Sequence, residues 1–336
     1  MRHRCSSCAC AGSGATVWIG VDRTSGRDRQ NMYSSTPVGG GTPLGEAARQ
    51  KVTAPALRAR KGGKPSVVVT AYDYTMARLL DRAGVDALLV GDSLGNVIQG
   101  HDSTIPVTVE DVCYHARAVA RGAPHAHVVA DMPFMSFQAS CEEALRNAGR
   151  LLKEGMAESV KVEGGVEIAD TVERMVRVGI PVMGHVGLTP QAVHALGGYK
   201  VQGQVRQVAE RILAGAEALE QAGAYAIVLE AVPPDLAETV TRRVSIPTIG
   251  IGASAGCDGQ VLVCYDLLGM TIGHTPRFVK QYADLGALIS DAAARFVQEV
   301  RERSFPAKEH CFKPAGHEGL GEPAPEHGAD VIKLVM

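Results

Sequence analysis

Short apolar runs recur along the chain from Pro65 onward, and each is followed by a polar or glycine-containing loop and then by an amphipathic stretch. Continuous apolar runs of this length, rich in β-branched residues, are typical of strands that are buried on both faces of a parallel sheet. The pattern predicts eight such strands, at residues 67–70, 87–90, 127–130, 159–162, 181–184, 226–229, 248–251 and 260–263.

The stretches between these strands show helical periodicity. Helices are predicted at residues 76–83, 109–121, 141–154, 167–178, 207–222, 234–243 and 285–303. In the last of them apolar side chains recur every four residues and form one stripe, which consists of Leu288, Ala292, Phe296 and Val300. Strands that alternate with helices predict a parallel sheet covered by helices, and eight such units favour a closed (β/α)8 TIM barrel over an open, doubly wound sheet.

The two ends of the chain lack this periodicity. Residues 1–48 are rich in Gly, Ser, Thr and Arg and carry no acidic residue before Asp22, so they are predicted to form a disordered extension. An acid-poor start with arginine and serine is typical of organelle transit peptides, which indicates a mitochondrial location, with a cytoplasmic one as the alternative. Residues 49–312 are predicted to form the catalytic barrel, and residues 313–336 a mobile tail.

The overall composition favours some classes of binding partner over others. A formal net charge of −2 provides no global basic field, so we expect small-molecule substrates rather than nucleic acid or a membrane surface. No apolar segment approaches the roughly 20 residues that cross a bilayer, and we expect a soluble, intracellular protein. The eight cysteines lack the paired C-x-x-C spacing of a zinc site, so free thiols are expected.

Polar residues stand at the carboxyl ends of five consecutive predicted strands. In a parallel barrel the loops that follow the strands share one face, and that face holds the active site. Lys161 and Glu163 are two residues apart, so their side chains leave the same side of their strand. From the second strand to the sixth, the polar residues at these ends are Asp92 and Ser93, Asp131, Lys161 and Glu163, His185, and Glu230.

Four carboxylates at one barrel mouth would repel each other unless a cation or a lysine compensates their charge. Carboxylate oxygens suit Mg²⁺, which commonly binds through one or two protein carboxylates together with water and substrate oxygens. The pattern therefore predicts a bound divalent cation, Mg²⁺. His185 is either a general acid or base or a hydrogen-bonded wall residue, and the glycine-bounded segment at residues 197–203 could close over a substrate.

The segment at residues 91–95, Gly-Asp-Ser-Leu-Gly, also satisfies two serine-hydrolase strings, G-D-S-L and G-x-S-x-G. A nucleophilic serine on such an elbow requires a helix directly after it, together with an acid and a histidine further on. We expect a loop rather than a helix after Ser93, because Gly95, Gly100 and Pro106 follow it. No asparagine of the chain precedes an aspartate and no aspartate stands three residues before a histidine, so the esterase pattern is disfavoured.

The motifs taken together resemble the ketopantoate hydroxymethyltransferase family over residues 71–312. The stretches that carry the resemblance are residues 70–74, 90–94, 99–104, 130–134, 160–165, 184–191, 197–203, 229–230 and 249–260. The resemblance implies a (β/α)8 barrel of the phosphoenolpyruvate mutase/isocitrate lyase-like type, assembled into a large homo-oligomer. It also implies transfer of a hydroxymethyl group from 5,10-methylenetetrahydrofolate to 3-methyl-2-oxobutanoate, which forms 2-dehydropantoate for pantothenate and coenzyme A synthesis.

The same resemblance implies roles for six residues. The positions that match Mg²⁺ ligands are Asp92, Asp131 and Glu163, the last either directly or through water. The positions that match the 2-oxo acid site are Asp92, Ser93, Asp131 and Lys161. Glu230 matches the proton acceptor, which would take a proton from C3 of the oxo acid.

Two positions depart from the family pattern, and two other functions compete with it. Asn96 stands where the family usually has methionine, and Ser254 where it commonly has glycine. The alternative enzyme is an Mg²⁺-dependent carbon-carbon lyase or mutase of the same superfamily, which is disfavoured because the K-K-C-G-H motif of the lyases is absent. A non-catalytic barrel is disfavoured because all six matching positions retain competent side chains.

Overall fold

Eight parallel strands close into a barrel in the computed structural model, which describes residues 49–273 and 275–312. The strands follow one another around the barrel in chain order, and the first pairs with both the second and the eighth. They are β1 Ser66–Thr70, β2 Ala87–Val90, β3 His127–Asp131, β4 Ser159–Glu163, β5 Val182–Gly187, β6 Ala226–Glu230, β7 Thr248–Ile251 and β8 Gly259–Leu262. The predicted TIM barrel is confirmed.

Helices occupy the connections between the strands, except that between β7 and β8. They are α1 Ala54–Arg58, α2 Tyr74–Arg82, α3 Leu94–Val97, α4 Val109–Gly122, α5 Cys141–Lys153, α6 Ala169–Arg177, α7 Val193–Leu196, α8 Arg206–Gln221, α9 Pro234–Arg243, α10 Cys264–Leu267 and α11 Leu285–Arg301. All seven predicted helices are present. The additional ones are a single turn long, which is too short for an apolar period to show.

Local sequence signals explain where the longer helices begin and which face they bury. The Thr108 hydroxyl accepts the backbone N–H of Asp111, and the Asp111 carboxylate accepts the backbone N–H of Thr108, so this pair caps α4 reciprocally. From this cap onward α4 packs Val112, Ala116 and Val119 fully against the barrel. Such burial of an amphipathic face supplies most of the stability of a helix in a globular protein.

The barrel interior is closed at the N-terminal ends of the strands. Leu89, Val129, Met183 and Val228 form a cluster in which the segment around Val52 and helix α1 also take part. The backbone N–H of Val52 donates to the carbonyl of His125 at 2.7 Å, which attaches this segment to the end of the barrel where β3 begins. The polar residues lie at the opposite end of the barrel, at the carboxyl ends of the strands.

Helix α11 differs from the others because none of its residues is buried. The predicted apolar stripe is present but exposed, with Leu288 61%, Phe296 53% and Val300 45% accessible. No helix in the described part of the chain is long and apolar enough to span a membrane. The predicted extension at residues 1–48 and the predicted tail at residues 313–336 lie outside the described residues, so their order and the location of the protein stay predictions.

Candidate active site

One cavity of about 370 Å³ lies at the carboxyl ends of the strands, and polar residues of five strand ends line it. The register of the sheet explains part of this convergence, because Asp131 on β3 pairs with Lys161 on β4, and Glu163 on β4 pairs with His185 on β5. The cavity collects all six predicted site residues together with His185; they are Asp92, Ser93, Asp131, Lys161, Glu163 and Glu230. Their individual roles stay predictions.

Lys161 is buried and lies among the acids. Its Nζ is 3.0 Å from Asp131 Oδ1 and 3.1 Å from His185 Nδ1. Burial alone would lower the pKa of Lys161, but the negative charges of Asp131, Glu163 and Asp92 outweigh it and raise that pKa above its usual value. The lysine is therefore charged throughout the physiological range.

The carboxylates of β2 and β3 are held close together. The backbone N–H of Asp92 donates to Asp131 Oδ2 at 2.9 Å. Burial raises the pKa of Asp92 well above its usual value, and the neighbouring charges of Asp131 and Glu163 raise it further. Burial also raises the pKa of Asp131, although Lys161 opposes the shift. One lysine does not balance this group of acids, so the site favours a further positive charge.

Two carboxylate oxygens fit a magnesium ion. Asp131 Oδ1 and Glu163 Oε1 are buried and accept no hydrogen bond; Asp131 Oδ1 has an ion contact with Lys161, and Glu163 Oε1 lies 3.5 Å from His185 Nδ1. Within residues 49–273 and 275–312, no three His, Cys, Asp or Glu side chains are grouped so that they could hold a metal ion by themselves. Mg²⁺ requires only one or two protein carboxylates, since water and substrate oxygens complete its shell. The donors present are therefore compatible with Mg²⁺.

Gln191 fixes the orientation of two of the acids and is not among the predicted site residues. Its side-chain Nε2 donates to Asp92 Oδ2 and to the carbonyl of Met132, both at 2.9 Å, and its backbone N–H donates to Glu163 Oε2 at 3.0 Å. The residue lies in a single 3-10 turn, Pro190–Ala192, after β5. Its only signal in the sequence is its place in the family stretch at residues 184–191.

His185 connects Glu230 to the rest of the site. Its Nε2 lies 3.2 Å from Glu230 Oε2, and its Nδ1 lies 3.5 Å from Glu163 Oε1. Burial and the charge of Lys161 lower the pKa of His185, but the contacts with Glu163 and Glu230 outweigh them and raise it to about 9. The Lys161 ammonium lies 3.1 Å from Nδ1, so the contact with Glu230 is made through the other ring nitrogen, Nε2. His185 therefore lies between the predicted proton acceptor and the buried charges, and its role as a general acid or base or as a wall residue stays a prediction.

The expected loop after Ser93 is wrong, because α3 begins directly after it. The backbone N–H of Val97 bonds to the carbonyl of Ser93 at 3.0 Å, so one helical turn forms despite the glycine at position 95. The Ser93 hydroxyl nevertheless contacts the Tyr72 hydroxyl at 2.8 Å rather than a histidine. Burial raises the pKa of Tyr72 above its usual value, so Tyr72 is no general base at neutral pH. The hypothesis that Ser93 is a nucleophile therefore still lacks a general base.

The segment at residues 197–203 lies at the opening of the cavity. Tyr199 from this segment lines the cavity, and the backbone N–H of Gln202 donates to the carbonyl of Ala231 at 2.8 Å. Because Ala231 directly follows Glu230, this hydrogen bond holds the segment beside the predicted proton acceptor. Tyr199 thus places the segment at the cavity, and the expectation that the segment could close over a substrate stays a prediction.

A family model described as ketopantoate hydroxymethyltransferase matches residues 51–308. The chain belongs to the ketopantoate hydroxymethyltransferase family. A relative from Pelobacter propionicus, named 3-methyl-2-oxobutanoate hydroxymethyltransferase, is 53% identical over 265 residues, which are 79% of this chain and 98% of the relative. A relative of the same name from Carboxydothermus hydrogenoformans is 55% identical over 266 residues, 79% of this chain and 96% of the relative. The chain is an enzyme of the hydroxymethyltransferase class.

Solved structures place the barrel of this ketopantoate hydroxymethyltransferase family member in a wider fold group. A phosphonopyruvate hydrolase matches with a TM-score of 0.52 at 14% identity, over 78% of this chain and 92% of its own. A 2,3-dimethylmalate lyase, described as a PEP mutase/isocitrate lyase superfamily member, matches with a TM-score of 0.51 at 18% identity, over 77% and 90%. The predicted fold, a (β/α)8 barrel of the phosphoenolpyruvate mutase/isocitrate lyase-like type, is confirmed. The family match separates the chain from the lyases and mutases that share this fold.

Proposed function

We propose that this protein transfers a hydroxymethyl group from 5,10-methylenetetrahydrofolate to 3-methyl-2-oxobutanoate and forms 2-dehydropantoate for pantothenate and coenzyme A biosynthesis. The names of its relatives support the oxo acid and the transferred group. The observation that carries the proposal is the single cavity in which a charged lysine, three acids and the Glu230–His185 pair meet. Such a set can bind a small anion, hold a cation and remove a proton.

The 2-oxo acid requires a positive charge for its carboxylate and hydrogen-bond donors for its oxygens. Lys161 supplies the charge, because its ammonium remains protonated in the buried cavity. The Ser93 hydroxyl faces the same cavity and supplies a donor. Asp92, Asp131 and Glu163 would share an Mg²⁺ ion, one or two of them directly and Glu163 either directly or through water, and the ion would supply the positive charge that stabilises an enolate.

Glu230 takes the proton from C3 of the oxo acid in this proposal. Its carboxylate is kept in place by His185 at 3.2 Å, and its side chain borders the cavity rather than the sealed interior. The C–H bond breaks and its electron pair enters the enolate. One water breaks the two C–N bonds that hold the one-carbon unit to the folate: its oxygen stays on the carbon as formaldehyde, and its two protons go to the folate nitrogens to give tetrahydrofolate. C3 then forms a carbon-carbon bond to the formaldehyde carbon, and the resulting alkoxide takes the proton back from Glu230, which gives 2-dehydropantoate.

We also propose that the enzyme works as a large homo-oligomer. The exposed apolar stripe of α11 supports this, because a helix with no buried residue gains stability only when its apolar face is covered. A second copy of the chain is the partner that is always available to cover it.

Hydrogen exchange at C3 tests the proposed chemistry without the folate. We expect the protein, incubated with Mg²⁺ and 3-methyl-2-oxobutanoate in D₂O, to replace the C3 proton by deuterium, as followed by NMR. Glu230→Gln should abolish the exchange, since an amide cannot accept the proton. Glu210→Gln changes an exposed carboxylate on α8 in the same way and should exchange like the parent. Absence of exchange in the parent at saturating Mg²⁺ would overturn the mechanism.

A further inference from the structure

Two exposed aromatic side chains line the opening of the catalytic cavity and have no part in the chemistry described above. Tyr199 is 54% exposed and Phe278 is 40% exposed, and both border the cavity. Phe278 rests against the backbone of Gly252, where a Cβ atom would lie 2.7 Å from the ring.

Each of these rings is next to a cation in the sequence. Lys200 follows Tyr199, and Arg277 precedes Phe278. Both cationic side chains are exposed, and among residues 49–273 and 275–312 neither has a carboxylate within ion-pair distance. These two exposed charges are therefore available to a ligand. We call Tyr199, Lys200, Arg277 and Phe278 the aromatic rim.

The space next to the aromatic rim is large enough for a bulky second substrate. A second cavity of about 940 Å³ adjoins the catalytic one at Phe278, and both Val201 and Arg277 line it. It opens where the connection between β7 and β8, residues 252–258, contains no helix.

We propose that the aromatic rim binds the folate co-substrate, with the pterin on the two rings and the carboxylates of the glutamate tail on Lys200 and Arg277. Flat heteroaromatic rings stack on accessible aromatic side chains, and arginine pairs with carboxylates through parallel hydrogen bonds. This inference rests on the proposed function, because it assigns a place to the donor of that reaction.

The position of Tyr199 also orients the donor. The pKa of Tyr199 is raised by partial burial and then by the charges of Asp92, Glu230 and Glu163, so its hydroxyl lies within electrostatic reach of the reacting groups. The hydrogen bond from Gln202 to Ala231 keeps its segment beside Glu230. A pterin stacked on Tyr199 therefore carries its one-carbon unit to the edge of the catalytic cavity, while the tail extends outward.

Direct binding of tetrahydrofolate to the full chain tests this placement. Calorimetry with Mg²⁺ and 3-methyl-2-oxobutanoate present compares the monoglutamate with the triglutamate form. We expect Lys200→Ala/Arg277→Ala to weaken triglutamate binding more than tenfold and to remove the preference for triglutamate. Tyr199→Leu/Phe278→Leu should weaken both forms by a similar factor of ten or more, because it removes the ring contacts and keeps the charges.

Matched substitutions away from the aromatic rim provide the controls. Tyr114→Leu removes an exposed aromatic ring of α4, and Lys153→Ala removes an exposed charge at the end of α5; both should bind folate like the parent. Melting temperatures show that each variant is folded. Unchanged folate affinity in folded rim variants, with C3 exchange and product formation intact in the parent, would overturn the placement alone. Neither exchange nor product in the parent would overturn the proposed function and this inference together.

Discussion

Lys161 lies at the centre of the charged groups in the cavity, where its ammonium contacts Asp131 and His185. A buried ammonium is unfavourable unless nearby negative charge compensates its lost hydration. Here the carboxylates reverse the effect of burial on the pKa of Lys161, so the lysine is kept charged. The lysine does not compensate all of the acids. Asp92 is the least compensated, and its pKa is raised by burial and by two neighbouring acids. The least stabilised carboxylate is thus a predicted Mg²⁺ ligand.

A comparison of Asp92 with Ser93 tests which residue of the Gly-Asp-Ser segment carries the chemistry. Asp92→Ala should lower kcat/KM for 2-dehydropantoate formation by roughly a thousandfold, the scale of losing a group that stabilises developing charge. Ser93→Ala should lower it by at most about tenfold, since one hydrogen bond is worth about 1 kcal/mol. Steady-state kinetics on the two purified variants measure the difference.

Stability provides the control for this pair. Asp92→Ala removes a buried carboxylate that Asp131 and Glu163 repel, so its melting temperature should equal or exceed that of the parent. An inactive variant that is also less stable would have lost its fold rather than its ligand. A larger activity loss in Ser93→Ala than in Asp92→Ala would instead favour the serine as a nucleophile.

Buried polar side chains from three strands form a series of hydrogen bonds at the N-terminal end of the barrel, away from the cavity. His127, at the start of β3, has its Nε2 2.9 Å from the Ser159 hydroxyl of β4, which in turn lies 2.9 Å from the Tyr225 hydroxyl just before β6. Burial lowers the pKa of His127 to about 4, although the charge of Glu158 opposes the shift. The ring is therefore neutral in the folded protein at physiological pH.

This element predicts a pH-dependent stability. His127 binds a proton near pH 6.5 in the unfolded chain but near pH 4 in the folded one, so the unfolded state binds more protons between these values. The free energy of unfolding should fall as the pH drops from 6.5 to about 4, by at most about 3 kcal/mol from this residue. Urea unfolding of the parent and of His127→Leu across this window measures the contribution.

The variant should lose part of the acid sensitivity, because leucine has no proton to bind. His101→Leu changes an exposed histidine and should follow the pH profile of the parent. Parallel profiles for the parent and His127→Leu would contradict the assignment of a depressed pKa to the buried ring.

The strands and long helices could be predicted because their burial requires apolar residues, in continuous runs for the strands and at regular spacing for the helices. The strand ends then indicated the site, since a parallel barrel gathers the residues that follow its strands. Helix α3 could not be predicted, because one turn leaves no period and a glycine at position 95 argues against helix. Gln191 could not be predicted either: it meets Asp92 across 99 positions of sequence, in a contact that only the closed barrel creates.

At the scale of the whole molecule, α11 is the element whose surroundings do not match its sequence. Its stripe of Leu288, Ala292, Phe296 and Val300 has the spacing of a buried helix face, yet no residue of α11 is buried in the single chain. Exposed contiguous apolar surface on a folded protein usually marks an interaction site. Self-association covers this stripe without any further partner, which agrees with the proposed homo-oligomer.

Charge placed on the stripe should therefore break the assembly. We expect the parent to elute as a large oligomer in size-exclusion chromatography with light scattering, and Leu288→Glu/Phe296→Glu to give a smaller species, because burying two carboxylates without partners is strongly unfavourable. Gln298→Glu adds a charge to the same helix outside the stripe and should keep the parental mass. A parental mass in the double variant, with an unchanged melting temperature, would show that the assembly uses another surface and that α11 remains exposed within it.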